Sequence, residues 1–361
     1  MIDMMDAPVL IIGGAGFIGS NLAARFAAQG YRVRIYDSLS RPGVEQNLAW
    51  LQMQHGDRIE AEIADVRDRV RLRGAVAGAR AVFHFAAQVA TTTSLLEPRH
   101  DFEVNAWGTL EVLEALRVQA TPPPLVFAST NKVYGSLQDV PMMIEGSRWR
   151  PTSAALAATG IDERRGLAFR TPQGCSKGAA DQYVLDYAHS FGLPATVLRM
   201  SCIYGPRQLG TEDQGWVAHF LICALRDQEI TIYGDGRQVR DVLFVDDLID
   251  ALDRAWTHID AIRGRAFNIG GGPGNSISLV ELVDLISLLR GSSPDIAMEG
   301  WRAGDQRYYV SDPSAFTAAT GWRPRIAPRA GVEALYGWLL EQRRRIAGSR
   351  PLTSAARVPR A

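Results

Sequence analysis

Three short stretches of this 361-residue chain carry residue types and spacings suited to chemistry on a bound nucleotide. The first is Gly13-Gly14-Ala15-Gly16-Phe17-Ile18-Gly19, where glycine recurs at every third position directly after the apolar run Pro8-Val9-Leu10-Ile11-Ile12. Such spacing permits a tight turn, brings backbone amides against a pyrophosphate and lets a helix pack closely on the strand it follows. Asp37 ends the next apolar strand, Tyr31-Arg32-Val33-Arg34-Ile35-Tyr36. There an acidic side chain can bind an adenosine ribose and disfavour an added 2′-phosphate, which favours NAD over NADP. The second stretch ends in the hydroxyls of Ser129 and Thr130. The third, Thr171-Pro172-Gln173-Gly174-Cys175-Ser176-Lys177, sets a neutral amide four residues before a lysine. A tyrosine at position 173 would offer a phenol whose anion the Lys177 ammonium favours, but Gln173 has no proton-transfer cycle near neutral pH.

These residues need a scaffold, and the hydrophobic periods predict one. Residues 8–13 read as a strand, Ser20 to Gln29 as a helix and residues 31–36 as a returning strand. Further strands are expected near 58–63, 81–86, 124–129, 195–200 and 229–233, with helices near 101–118, 175–191 and 214–227. The alternation predicts an α/β protein: a Rossmann-type wound parallel sheet with a smaller C-terminal substrate-binding cap. The expected division is a predominantly NAD-binding domain over residues 8–200, a predominantly cap region over 201–340 with possible returns to the core, and a basic tail over 341–361 around Arg343-Arg344-Arg345. Residues 141–172 mix Pro, Gly, Arg and small residues, and read as a long irregular excursion that either shapes a substrate mouth or lies in solvent.

Composition narrows the partners. The formal net charge is zero, 22% of residues are charged and 47% hydrophobic, the balance of a soluble globular protein without a global bias toward nucleic acid or membrane. No signal-like block or membrane-length apolar run is evident, so the default location is cytoplasmic. Cys175, Cys202 and Cys223 lack paired metal-ligand spacing, as do His84 and His219, so no metal is expected. Trp216, Trp301 and Trp322 read as core or domain-contact residues in preference to a nucleotide stacking surface.

Over roughly residues 8–340 the chain resembles the extended short-chain dehydrogenase/reductase family, in particular its CDP-paratose/CDP-tyvelose 2-epimerase branch. The resemblance is carried by GGAGFIG, the strand ending at Asp37, HFAAQVATTTS from His84, ASTNKVYG from Ala128, QGCSKGAADQY from Gln173 and RMSCIYGPRQLGTEDQGWVAHF from Arg199. It implies that Gly13, Gly16, Phe17, Ile18 and Asp37 hold the cofactor, that Asp65 and Val66 border adenine, and that Ala86, Ala87 and Gln88 form the cofactor and active-site floor. Asn105 would lie on the helix facing the catalytic centre; it and the small residues can equally complete packed hydrogen-bond networks. Thr130, with Ser129 in support, would stand beside the sugar, and Lys177 would bind the nicotinamide ribose. Asn131, Lys132, Arg207, Thr211, Gln214, Arg240 and Arg302 are the implied substrate contacts, the arginines suiting phosphate geometry.

The resemblance further implies a tightly bound NAD that is regenerated during turnover, a CDP-linked substrate epimerised at C2 through a transient 2-keto sugar, and a homodimer through the helices near 101–118 and 175–191. Gln173, at the catalytic tyrosine position, leaves three readings: a variant altered there, a site that recruits another acid/base group such as Cys175 or Tyr134, or a protein that binds without chemistry. A nucleotide-sugar dehydratase is the other enzymatic reading.

Overall fold

The computed structural model describes residues 7–302 and 304–348. The run Val9–Ile12 (β1) is buried along its whole length, as expected of a central strand covered on both faces. It lies between Val33–Asp37 (β2) and Ala81–His84 (β4), and Ile59–Ile63 (β3) pairs with β2 at the edge. On the other side come Leu125–Thr130 (β5), Ala195–Met200 (β8) and Ala266–Ile269 (β12), all parallel. The sheet therefore runs β12-β8-β5-β4-β1-β2-β3. The chain moves outward from β1 through β2 to β3, then crosses back to β4 and proceeds the other way. The crevice at the carboxyl ends of β1 and β4 is thus a topological switch point, where such sheets bind ligands.

The glycine turn leaves the end of β1, the segment Phe85 to Thr92 leaves β4, and Ser129 and Thr130 end β5. Three of the sequence stretches converge on one rim for that reason.

The expected strand at 229–233 forms as Ile230–Tyr233 (β10), but it pairs with Ile296–Glu299 (β14) outside the wound sheet. Its place in the main sheet is taken by β12, from beyond residue 200. A second departure is the excursion at 141–172. Met142–Glu145 (β6) and Arg148–Pro151 (β7) form an antiparallel hairpin across Gly146, followed by the helix Ala154–Thr159. The hairpin is docked rather than loose: Arg148 ion-pairs with Glu281, and the Trp149 amide donates to the Arg237 carbonyl at 2.9 Å.

The remaining cap strands gather around Val239–Phe244 (β11), which pairs with Cys202–Tyr204 (β9), Ser276–Ser278 (β13) and Tyr308–Tyr309 (β15). The basic stretch at 343–345 continues the helix Pro328–Gly348; residues 349–361 of the expected tail lie outside the described residues. Among the described residues no helix is long and apolar enough to cross a membrane.

Candidate functional site

The glycine turn is built for close approach. Gly13 has φ of +83°, and a Cβ there would stand 2.5 Å from the Ala86 nitrogen. A Cβ on Gly19 would stand 2.3 Å from the Gly13 carbonyl oxygen, so only glycine lets the helix Phe17–Ala28 start against the turn. Asp37 accepts hydrogen bonds from the amides of Ala15 at 3.0 Å and Leu39 at 2.9 Å, which holds its carboxylate beside the turn. Burial raises its pKa against those backbone donors. Asp65 follows β3; its carbonyl accepts from the Tyr36 hydroxyl at 2.8 Å, and Val66 packs beneath Gly108.

A cavity of about 550 Å³ opens from this rim toward the cap. Of the sequence candidates it brings together Phe17, Ile18, Ala87, Gln88, Ser129, Thr130, Asn131, Lys132, Gln173, Lys177, Gln214, Arg240 and Arg302. Five buried polar atoms on its wall have no hydrogen-bond partner among the described residues: Gln88 Oε1, Thr92 Oγ1, Gln208 Oε1, Trp216 Nε1 and Gln238 Oε1. Orphaned buried groups are costly, and their concentration here suits a large polar ligand. Together with the glycine cradle and Asp37, this set of unpaired acceptors and donors fits a dinucleotide.

Other candidates sit behind the wall. Asn105, in a π-helical turn, accepts from the Gln88 amide at 2.9 Å and donates to the Gln88 carbonyl at 3.0 Å, so it braces the floor instead of facing ligand. It also reaches Asp101 and Ser176. Arg207 lies outside the cavity lining, with its guanidinium 3.1 Å over the Trp50 ring, and Thr211 is exposed. Tyr134 is wholly buried against Asn268 and Arg199, and Cys175 is exposed; neither lines the cavity.

Lys177 is enclosed. Its Nζ donates to the Ala128 carbonyl at 2.6 Å and lies 4.3 Å over the Phe127 ring. Burial pushes its pKa down to about 8, partly offset by Asp181 and Asp101. Gln173 is 7% exposed, and its amide is committed in both directions. Its oxygen accepts from the Thr91 hydroxyl at 2.6 Å, and its nitrogen donates to the Val89 carbonyl. Gln173 therefore pins the segment after β4 to the helix Thr171–Ser190. Thr91, within the His84–Ser94 block, also lines the cavity; its pairing with Gln173, 82 residues away, is set only by the fold.

Ser129 is oriented from behind. Its hydroxyl donates at 2.7 Å to Asp181, which also receives Nε and Nη2 of Arg199 at 2.9 Å each. At the cap end, Arg302 is stacked 3.5 Å over Tyr233 and paired with Glu212 at 2.9 Å. Arg240 donates to the carbonyls of Val239 and Gln306. Cys202, His219 and Asp305 also line the cavity, residues the sequence reading had not assigned. Among the described residues no three His, Cys, Asp or Glu side chains gather as a metal-binding group.

Comparison with known proteins agrees with this geometry. The model of the NAD dependent epimerase/dehydratase family matches residues 9–270. The chain is 41% identical over 336 residues to the CDP-paratose 2-epimerase of Salmonella typhi, covering 91% of this chain and 98% of that one. It is 31% identical over 325 residues to the UDP-glucose 4-epimerase of Mycolicibacterium smegmatis, covering 90% and 95%. Among solved structures, the Thermus thermophilus UDP-glucose 4-epimerase in complex with NAD superposes with a TM-score of 0.77 at 30% identity, over 92% of this chain and 99% of that one. The Thermotoga maritima UDP-glucose 4-epimerase with UDP-glucose gives 0.79 at 27% identity, over 93% and 99%.

Proposed function

We propose, from the premise that this chain belongs to the NAD dependent epimerase/dehydratase family, that it is an NAD-dependent isomerase of a CDP-linked 3,6-dideoxyhexose, interconverting the C2 epimers CDP-paratose and CDP-tyvelose. The observation that carries the reading is the 41% identity to a CDP-paratose 2-epimerase across nearly the whole of both chains. The cavity suits it.

NAD, when bound, supplies reversible hydride exchange between a secondary alcohol and a ketone. The residues of this chain do the rest. The amides of the turn at Gly13 to Gly19 and the carboxylate of Asp37 hold the pyrophosphate and adenosine ribose; Lys177 holds the nicotinamide ribose. Thr130 and Ser129 place the sugar, with Ser129 aimed by Asp181. Arg240, a cation in the same cavity, would face the diphosphate, while Arg302 and Gln214 would bound the nucleotide end. Enclosure fixes the sugar relative to the cofactor, which lowers the entropic part of the barrier.

A homodimer belongs to the same reading. Trp107 and Phe191, 48% and 51% exposed, lie at the helices Gly108–Arg117 and Thr171–Ser190, which pack side by side; Phe102 and Tyr183 extend the apolar face.

The test is to incubate the purified protein with NAD and CDP-paratose and follow the sugar by NMR. Inversion at C2 is expected. A 4-keto product would assign the chain to dehydration, and unchanged sugar with retained NAD and nucleotide-sugar binding would leave a binding protein.

A further inference from the structure

The reading above leaves one chemical gap: an alcohol oxidised in this cavity must give up its hydroxyl proton, and Gln173 cannot take it. We propose that the side-chain amine of Lys132 takes and returns that proton, replacing the tyrosine route at the level of the reacting atoms. The proposal rests on the sugar-oxidising reading of the cavity.

The chain contains 37 arginines and two lysines, and the two lysines are Lys132 and Lys177. Both line the cavity. Everywhere else the protein meets its need for positive charge with arginine, which serves as well as lysine for holding phosphate and does not release its proton. The only two amine side chains of the sequence thus stand on one cavity wall. Lys177 is committed through its Nζ to the Ala128 carbonyl. Lys132 is half-buried and opens on the cavity, and among the described residues its ammonium makes no hydrogen bond or ion pair.

Its backbone is fixed between Thr130 and the turn that carries Gln173. The Lys132 amide donates to Thr130 Oγ1 at 3.2 Å, and its carbonyl oxygen lies 3.5 Å from where a Cβ on Gly174 would stand, directly beside Gln173. The charged and titratable groups around it are Arg240 on β11, Asp305 and the Cys202 thiol on β9. Burial and Arg240 lower the Lys132 pKa, against smaller opposing contributions from Asp305 and Cys202. The balance is that of an alcohol oxidation: Lys132 takes the hydroxyl proton, and NAD, when bound, would supply the acceptor for the C2 hydrogen and its bonding pair as the carbon–oxygen bond becomes double. Reversal on the other face returns both and leaves the inverted alcohol.

Two lysines make a direct measurement possible. Reductive methylation with 13C-formaldehyde, with Lys177→Arg and Lys132→Arg used for assignment, should give a Lys132 resonance whose midpoint lies clearly below the ordinary lysine value of about 10.4. A midpoint at or above that value overturns the proposal. In turnover, Lys132→Met should lower kcat by about 100-fold or more while KM and CDP affinity change less than about threefold. Lys132→Arg should be equally impaired, and adding Gln173→Tyr to Lys132→Met should restore turnover. Retained turnover in Lys132→Arg, or a raised KM with kcat intact in Lys132→Met, would make Lys132 a phosphate anchor and refute its acid/base role. The two failures are separable: a wild type that neither inverts the sugar nor reduces its cofactor sinks the sugar reading itself, whereas an active wild type with an active Lys132→Met sinks the lysine alone.

Discussion

Asp181→Asn should unfold the protein more easily than any surface change, and the structure sets the size of the effect. Asp181 is 0% exposed and Arg199 5%, and the carboxylate accepts two hydrogen bonds from the guanidinium, one from Ser129 and one from the Gln182 side-chain amide. Arg199 also receives support from the Tyr134 hydroxyl at 3.1 Å. Removing the negative charge leaves a guanidinium inside the protein with only neutral partners, the Tyr134 hydroxyl and the asparagine oxygen, and breaking a buried pair in this way costs about 3–5 kcal/mol. The asparagine oxygen keeps one of the bonds, which places the expected loss near the lower end, about 3 kcal/mol. With a urea slope of about 3 kcal/mol/M, the unfolding midpoint should fall by about 1 M. The double variant Asp181→Leu with Arg199→Met should recover much of the loss, because an apolar pair has no charge to desolvate. An Asp181→Asn midpoint within about 0.2 M of wild type would refute the claim that this pair anchors the rear of the site.

Other consequences are equally direct. Gly19→Ala drives a Cβ to 2.3 Å from the Gly13 carbonyl oxygen, so the purified variant should release little or no NAD on acid treatment; a full complement would contradict the cradle. His84 is wholly buried, and burial together with the Lys177 charge pushes its pKa to about 3, from an ordinary value of 6.5. Below pH 6.5 the unfolded chain takes up a proton that the folded one refuses, so stability is lost at about 1.4 kcal/mol per pH unit as pH falls toward the folded value. His84→Leu should flatten that slope, measured by urea unfolding at a series of pH values, and an unchanged slope would assign the acid sensitivity elsewhere. Trp107→Glu should convert a dimer to a monomer in light scattering, and a persistent dimer would place the interface on another face.

Much of the site is legible in the sequence, and the reason is locality. The turn from Gly13 to Gly19, the helix after it and Asp37 at the end of the next strand form one contiguous unit, so composition and spacing specify its shape. Thr130 and Lys177 are legible through motifs of the same short range. The pairing of β10 is not, because four residues of alternating burial suit a cap edge as well as a sheet interior. Nor is the hairpin at 142–151, whose docking depends on Glu281, more than a hundred residues away.

The amino-acid sequence by itself determined that residue 173 has no acid/base chemistry, that a dinucleotide turn opens the chain, and that no phenol stands four residues before Lys177. Only the tertiary structure decided what those facts mean together. It tied the Gln173 amide to Val89 and Thr91, withdrew Tyr134 and Cys175 from the cavity, and left the Lys132 ammonium facing it without a partner among the described residues. Side-chain direction, enclosure and the charges contributed by distant strands set a proton's affinity, and none of these is a property of neighbours along the chain.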